Sequence, residues 1–223
     1  MANGKWKSDS QGAKGVPKAV VYRLSLYLRE LQRLIRGGDT MASSGKLGKL
    51  LGLTDAQVRK DLAIFGQFGH PGVGYRCEDL VGAIKGILGT DREWTVAMIG
   101  AGNLGRALLG YRGFASQGFR VAAVFDADPA KIGQSLEGLV VEDVERLSEV
   151  VREREISLGL IAAPAEAAQE AATRLAAAGV VGILNFAPVT LHSLPVEVSQ
   201  VSVDLATELE QLSFAVANRP ETR

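Results

Sequence analysis

The spacing of apolar residues predicts that the first part of the chain is helical. From Pro17, which suits a first helical turn, apolar side chains recur at alternating spacings of four and three residues. This pattern predicts an amphipathic helix that ends at Gly37 and Gly38. Its inner face is expected to consist of Val20, Leu24, Tyr27, Leu31 and Leu34.

Two short helices that meet at a tight turn are predicted next. The first has an N-cap offered by Ser43 and Ser44, and the second runs from Asp55 to Phe65. Their apolar faces are expected to be Leu47, Leu50 and Leu51, and then Val58, Leu62 and Phe65. A further amphipathic helix, from Cys77 to Leu88, is predicted to lead into the rest of the chain.

The turn between the short helices has the residues that a helix-turn-helix needs. Such helices pack closely, so a small residue lies at the crossing, a glycine suits the turn, and an apolar residue points back from the second helix. Gly48, Gly52 and Val58 occupy these places. An αα-hairpin that serves only for packing has similar spacing, and this alternative stays open.

The start of the second short helix presents Ala56, Gln57, Arg59 and Lys60, where a recognition helix enters the major groove. Gln57 could read adenine, and Arg59 could read guanine or contact phosphate. Residues 65–75 are punctuated by glycines and predict a hairpin like the wing of a winged helix, with a plain β-turn connector as the alternative. The candidate DNA-binding residues are Ser43, Ser44, Gln57, Arg59, Lys60, His70 and Gly72.

The second half of the chain begins with the pattern of a dinucleotide-binding fold. An apolar strand at residues 95–99 runs into Gly100-Ala101-Gly102-Asn103-Leu104-Gly105 and then into a helix. Gly100 permits the tight turn, Gly102 lets the backbone approach a pyrophosphate, and Gly105 allows close helix–strand packing. A second strand, at residues 120–125, ends at Asp126, where a carboxylate can hold ribose hydroxyls and favour NAD over NADP. The alternative is a βαβ unit that has lost its nucleotide.

Strands and helices continue to alternate, which predicts a doubly wound parallel sheet. Buried strands are expected at residues 156–162 and 182–186, around an alanine-rich helix at 165–178. Ligands bind at the carboxyl ends of such strands, near Ala163-Pro164 and Asn185-Phe186. A strand at 198–203 and a helix that begins near Asp204 complete the chain. The stripe Leu205, Leu209, Leu212 and Val216 makes this helix a candidate contact in a dimer, although packing on its own subunit is the default.

Composition and charge support two domains with different tasks. The chain has 223 residues, of which 47% are hydrophobic and 22% charged, so bulk disorder is excluded. The net charge of zero hides a division: the chain up to Thr90 has 14 basic and 7 acidic residues, whereas the remainder has 11 and 18. We therefore predict a basic tail (1–15), a DNA-binding domain (16–89), a dinucleotide-binding domain (90–203) and a dimerisation helix (204–218).

Several classes of protein are disfavoured by what the sequence lacks. Cys77 is the single cysteine, so an internal disulfide is excluded and a structural metal is not expected. No apolar run reaches the ~18 residues of a membrane helix, and a cytoplasmic protein is expected. Beyond Asp91 the only His, Lys and Tyr are His192, Lys131 and Tyr111, which leaves few groups for the proton transfer of a dehydrogenase. The cofactor is therefore expected to act as a signal, with a small dehydrogenase as a less favoured alternative.

From Val16 to Asn218, these residues resemble the Rex family of redox-sensing transcriptional repressors. The most specific stretches are residues 57–62, 72–75, 100–105, 125–126 and 182–188. The resemblance implies a homodimer of winged-helix and Rossmann domains, joined by a terminal helix that is exchanged between subunits. It also implies that NADH closes the dimer and releases it from operator DNA, so that repression of respiratory and fermentative genes lifts.

The same resemblance implies roles for individual residues. Arg59 and Lys60 would contact the major groove, and Asp126 would bind ribose. Arg29, Tyr111 and Asp204 would form a polar network near the nicotinamide, so Tyr111 and Asp204 join the glycine loop, Ala163, Pro164, Asn185 and Phe186 as candidate NAD(H) ligands. Without the resemblance they would be an exposed helix arginine, a packing tyrosine and an N-cap aspartate.

One departure from the family concerns the wing. The family usually has Arg or Lys just before the glycine that aligns with Gly72, whereas this chain has His70-Pro71. Loss of a cation in the minor groove should weaken DNA binding and reduce its salt dependence. A paralogue that binds dinucleotide but has altered or lost operator recognition is therefore the main alternative.

Overall fold

The computed structural model describes residues 15–69 and 72–219, and they form two compact units that divide between Arg92 and Glu93. Residues 1–14 of the predicted basic tail, and the wing residues His70 and Pro71, lie outside the described residues. No helix in the described ranges is both long and apolar enough to cross a membrane.

The first unit is built from helices around a small antiparallel strand pair. Its elements are α1 (Lys18–Arg36), β1 (Met41–Ala42), α2 (Ser44–Leu51), α3 (Asp55–Ala63), β2 (Tyr75–Arg76) and α4 (Cys77–Leu88). The predicted inner face of α1 is confirmed, since all five of its apolar residues are buried. They pack with Leu47, Val58, Leu62 and the α4 residues Leu80 and Ile84 in one core.

The geometry of α2 and α3 confirms the helix-turn-helix. A Cβ at Gly48 would stand 2.6 Å from the carbonyl oxygen of Leu53, so the chain after α2 passes directly over this glycine. Gly52 ends α2 with a φ of 68°, in the left-handed region that favours glycine. Two details of the prediction are wrong. Leu50 is 42% exposed, and α3 ends at Ala63, so the buried Phe65 lies in the turn beyond it.

The described residues of the predicted wing form a glycine-rich loop that leads into β2, and the hairpin stays a prediction because His70 and Pro71 lie outside the described residues. β2 pairs with β1, with Met41 opposite Arg76 and Ala42 opposite Tyr75, and residues 66–69 form no strand. Gly69 approaches the backbone of Gly74 so closely that a Cβ would lie 2.2 Å from its carbonyl oxygen. The chain therefore reverses direction between Gly69 and Gly74, and a side chain at Gly69 would prevent this close backbone contact.

Replacing Gly48 by Ala is expected to destabilise the first unit by about 1–3 kcal/mol, because the new methyl group meets backbone that cannot rotate away. Gly45→Ala, in the same helix, is the matched control: its nearest neighbour would be Ser43 Oγ at 3.8 Å. The control should be neutral, or more stable by up to about 1 kcal/mol from helix propensity. Urea unfolding of both variants measures this difference, and equal effects would contradict the close crossing.

The second unit contains a seven-stranded sheet covered by helices. Its elements are β3 (Trp94–Ile99), α5 (Asn103–Leu109), α6 (Gly113–Ser116), β4 (Phe119–Asp126), β5 (Ser135–Leu136), β6 (Leu139–Asp143), a 3-10 turn (Val144–Arg146), α7 (Leu147–Glu153), β7 (Leu158–Ile161), α8 (Ala165–Ala177), β8 (Gly182–Asn185), β9 (Ser199–Ser202) and α9 (Leu205–Ala217). The strand order is β5-β6-β4-β3-β7-β8-β9. All neighbours are parallel except β5 and β6.

This order confirms the doubly wound parallel sheet, because the chain winds outward from β3 to β6 and then returns to place β7 beside β3. Helices α7 and α8 cover one face of the sheet. On the other face, beyond α5, an apolar groove of about 400 Å³ remains, lined by residues such as Val121, Leu158 and Val201. The stripe on α9 is solvent-exposed in the single chain. Between α6 and α7, the sequence predicted only β4. It did not predict α6, β5, β6, the 3-10 turn or α7.

Candidate functional site

The glycine loop after β3 has three glycines with different steric surroundings. Gly100 has a φ of 104°, and a Cβ there would stand 2.5 Å from the carbonyl oxygen of Ala162. A Cβ at Gly105 would stand 2.0 Å from the carbonyl oxygen of Gly100, so α5 packs directly on the loop. A Cβ at Gly102 would meet no protein atom within 4 Å. Gly100 and Gly105 are therefore needed by the fold, whereas Gly102 borders open space.

Asp126, at the end of β4, is tied to this loop. Its Oδ2 accepts the N–H of Ala101 at 2.8 Å, its Oδ1 accepts the N–H of Asp128 at 2.9 Å, and Lys131 Nζ lies 3.1 Å from Oδ2. Burial raises the pKa of the Asp126 carboxyl, but these hydrogen bonds and the ion pair with Lys131 more than offset it, so the pKa lies below its ordinary value. The carboxylate is ionised at neutral pH, and its remaining lone pairs can accept further donors.

The Asp126 carboxylate predicts an acid-sensitive contribution to stability. An Asp carboxyl in the unfolded chain has a pKa of about 3.9, and a lower pKa in the folded chain means that the ionised group stabilises the fold above about pH 4. This contribution is lost as the pH falls below that value through the folded pKa. In thermal unfolding from about pH 6 to about pH 2, the wild type should lose more stability than Asp126→Asn. Parallel pH curves for the two proteins would contradict this.

A cleft of about 830 Å³ opens at the carboxyl ends of β3, β4, β7 and β8. The sequence-predicted residues that line it are Gly100, Gly102, Asn103, Leu104, Asp126, Ala163, Pro164 and Phe186. Ala101 and Gly105 are buried beneath this lining and shape it from behind. Asn185, Tyr111 and Asp204 are not among the described lining residues.

Asn185 instead holds one wall of the cleft. Its side chain is fully buried, its Oδ1 accepts the N–H of Ala187 at 2.9 Å, and its Nδ2 donates to the carbonyl oxygens of Ala187 and Val189 at 3.1 and 2.9 Å. A second pair of hydrogen bonds fixes the same loop to α8. The N–H of His192 donates to Gln169 Oε1, and Gln169 Nε2 donates to the carbonyl oxygen of His192, both at 2.9 Å. The loop with Phe186 is therefore held in place from two sides.

Charged residues that sequence reasoning missed line the rest of the cleft. Lys131 and Asp128 follow Asp126, and Glu145 faces α8 across the cleft. Arg174 on α8 pairs with Glu145 at 2.8 Å and with Glu170 at 2.9 Å. The spacing of four between Glu170 and Arg174 was a visible helical signal. The pairing with Glu145 was not visible, because only the fold brings these segments together.

Of the three residues of the predicted coupling network, Arg29 belongs to the first unit, and Tyr111 and Asp204 belong to the second. Tyr111 is 59% exposed after α5, and its ring lies edge-to-face with Phe114, 5.2 Å between ring centres. Asp204 is the N-cap of α9 and accepts the N–H of Ala206 at 2.9 Å. Arg29 is exposed on α1 of the first unit. Their proposed link stays a prediction.

In the first unit, Ser43, Ser44, Arg59 and Gly72 line one surface groove of about 430 Å³. Ser43 is the N-cap of α2, since its Oγ accepts the N–H of Lys46 at 3.0 Å. Arg59 Nη1 lies 2.6 Å from Asp55 Oδ2 and 3.2 Å from Ser44 Oγ. Lys60 is exposed on α3, and Gln57 is half-buried. The structure thus brings these four groove residues together on one side of the helix-turn-helix.

Fold and sites together define a protein with a helix-turn-helix unit and a nucleotide-binding type of Rossmann unit. Two family models match: "Putative DNA-binding protein N-terminus" over residues 15–63 and "CoA binding domain" over residues 91–189. No group of three or more His, Cys, Asp or Glu side chains in the described residues is placed to hold a metal ion.

Relatives over most of the chain agree with this class. The redox-sensing transcriptional repressor Rex of Carboxydothermus hydrogenoformans is 48% identical over 90% of this chain and 96% of its own length. Rex 1 of Thermotoga maritima is 46% identical over 93% of this chain and 99% of its own. The chain belongs to the Rex family of redox-sensing transcriptional repressors.

Two similar structures are of one repressor, RSP. Its complex with β-NAD+ and operator DNA has a TM-score of 0.85 and 36% identity, covering 90% of this chain and 92% of that one. Its complex with β-NADH has a TM-score of 0.80 and 34% identity, covering 90% and 94%.

Proposed function

We propose that this protein is a DNA-binding transcriptional repressor that senses the ratio of NADH to NAD, and that NADH releases it from operator DNA. One observation carries the proposal: a single chain joins a helix-turn-helix to a glycine-loop cleft and aligns over 90% of its length with a repressor solved with NAD+, operator DNA and NADH. A repressor acts where the chromosome lies, which in bacteria is the cytoplasm.

The residues of the cleft fit a dinucleotide. The open space beside Gly102 allows a pyrophosphate to approach the backbone, and the N–H groups at the start of α5 favour negative charge. The ionised Asp126 would accept ribose hydroxyls, and with Asp128 it would disfavour the extra phosphate of NADP. The cofactor supplies a ring whose charge depends on redox state, cationic in NAD+ and neutral in NADH.

Several features support regulation over catalysis by this cleft. The lining cations Lys131 and Arg174 are both held in ion pairs with carboxylates, Lys131 with Asp126 and Arg174 with Glu145. His192 is exposed, and it is not among the described residues that line the cleft. If NADH and NAD favour different arrangements of the protein, the bound cofactor changes the affinity for DNA. Bound DNA must then change the affinity for the cofactor by the same coupling free energy.

The test is fluorescence anisotropy of a labelled palindromic Rex-type operator at fixed salt, titrated with the full-length protein in the presence of NADH or NAD. Tight binding that NADH releases and NAD does not is the expected result. Dinucleotide binding without specific DNA binding would instead favour the paralogue. A change of nicotinamide absorbance with small carbonyl substrates would favour a dehydrogenase.

A further inference from the structure

A buried carboxylate lies behind the recognition helix of the first unit. Asp61 on α3 is 1% exposed. Arg23 on α1 contacts both of its oxygens, at 2.5 and 2.7 Å, and the hydroxyl of Tyr27 donates to Oδ2 at 2.7 Å. The fourth hydrogen bond comes from Gln57, whose Nε2 lies 2.7 Å from Asp61 Oδ1. Two α1 side chains and one recognition-helix side chain therefore converge on one carboxylate.

This arrangement determines which end of the Gln57 carboxamide faces inward. An ionised carboxylate can only accept hydrogen bonds, so it must face the amide nitrogen, and a flipped amide would place two oxygens against each other. The bidentate Arg23 contact keeps Asp61 ionised. Gln57 lies three residues after the N-cap Thr54, where a glutamine often bonds back to the N-cap N–H, but here its amide is directed to Asp61.

The outward edge of the same amide keeps both a hydrogen-bond donor and an acceptor for contact with a base. The amide nitrogen has two protons, and only one is donated to Asp61. The other N–H and the carbonyl oxygen remain as the adjacent donor and acceptor that match N7 and N6 of adenine in the major groove. Gln57 is half-buried near the start of α3, in the part of a recognition helix that approaches base edges.

We propose that Asp61 is a positioning residue for operator recognition: held by Arg23 and Tyr27, it fixes the amide of Gln57 in one orientation, so that α3 prefers one base pair at one position of each half-site. This inference rests on the proposed function, because it needs a protein that reads DNA. It concerns sequence preference, which a purely structural role of Asp61 would not change at a single position.

The test uses the full-length protein with NAD and a pool of double-stranded DNA with randomised half-sites. From the sequence that the wild type selects, every single base-pair variant is made, and its Kd is measured with wild type, Gln57→Ala, Asp61→Asn and Lys60→Ala.

A bidentate base contact discriminates between base pairs by about 5- to 150-fold in Kd. Gln57→Ala should remove this preference at one position, and Asp61→Asn should remove it at the same position, because a neutral amide can pair with either end of Gln57. Lys60→Ala is the control and should weaken all sites evenly.

The outcomes separate this inference from the proposed function. If the wild type selects no sequence, both fail. If the wild type selects a sequence and Asp61→Asn weakens every variant by the same factor, Asp61 only supports the fold and the inference is overturned. The same conclusion follows if Gln57→Ala changes no position.

Folding of each variant is checked by thermal unfolding. Should Asp61→Asn not fold, Arg23→Lys replaces it: Lys keeps the charge beside Asp61 but not the two parallel hydrogen bonds that hold the carboxylate. A partial loss of preference at the Gln57 position is then expected, and an unchanged profile overturns the inference.

Discussion

Gly102→Ala is expected to give a protein that folds and binds operator DNA but no longer responds to NADH. Gly102 has a φ of −77°, which alanine adopts without strain, and no protein atom lies within 4 Å of its Cβ position. The methyl group would instead occupy the cleft, where the backbone must approach the pyrophosphate. We expect NADH affinity to fall at least ~100-fold, or roughly 3 kcal/mol, with stability within about 0.5 kcal/mol of wild type.

Two other glycines of the same region are controls for this prediction. Gly110→Ala adds its methyl group 3.8 Å from the nearest atoms, in ordinary contact, and should leave both NADH binding and stability unchanged. Gly105→Ala meets the Gly100 carbonyl oxygen at 2.0 Å and should lose stability together with binding. Calorimetric titration with NADH and thermal unfolding distinguish the three cases. Wild-type NADH affinity in Gly102→Ala would show that the phosphates bind elsewhere.

Leu209→Glu is expected to convert a dimer into a monomer and to weaken operator binding by at least ~100-fold, because two linked half-sites are then no longer engaged together. Leu205, Leu209, Leu212 and Val216 are 51% to 65% exposed in the single chain. An apolar stripe of this kind is typical of a surface that a partner covers. A charge at its centre would have to be buried in the contact, at a high cost.

Gln211→Glu is the matched control for this charge. It introduces the same carboxylate on α9, two residues away and off the stripe, and should leave the dimer and DNA affinity unchanged. Analytical ultracentrifugation and anisotropy on the palindromic operator measure the two properties. If Leu209→Glu remains dimeric, α9 is not the dimer contact. If it becomes monomeric with unchanged DNA affinity, the two half-sites are not bound together.

Much of the architecture was predictable because local patterns and packing agree. Apolar residues from Val20 to Leu34 recur at the spacing of an amphipathic helix, and those residues are buried in α1 as expected. The strand–glycine–helix pattern around Gly100 is equally local, since a tight turn and close packing demand small residues at fixed spacing. Asp126 was located in the same way, as the polar end of an apolar strand.

Errors arose where the local pattern was weak or where partners are distant in sequence. Leu50 lies at a helical spacing from Leu47 that suits burial, but α2 turns it to solvent. The pairing of β2 with a segment more than thirty residues earlier could not be predicted from the glycines in residues 65–75. β5 was missed because it has only two residues, and β6 because two acidic residues, Glu142 and Asp143, end its short apolar run.

The sequence by itself determined most of the elements, the glycine loop and the residue types available for binding, because these depend on periodicity and backbone sterics within a few neighbours. The tertiary structure decided what the polar side chains do. Asn185, expected at the ligand, holds the loop behind Phe186. Asp61, to which the sequence assigned no role beyond its place in the family-like stretch 57–62, lies where Arg23, Tyr27 and Gln57 converge. Hydrogen-bond partners from distant segments meet only after the chain has packed, so no local pattern records them.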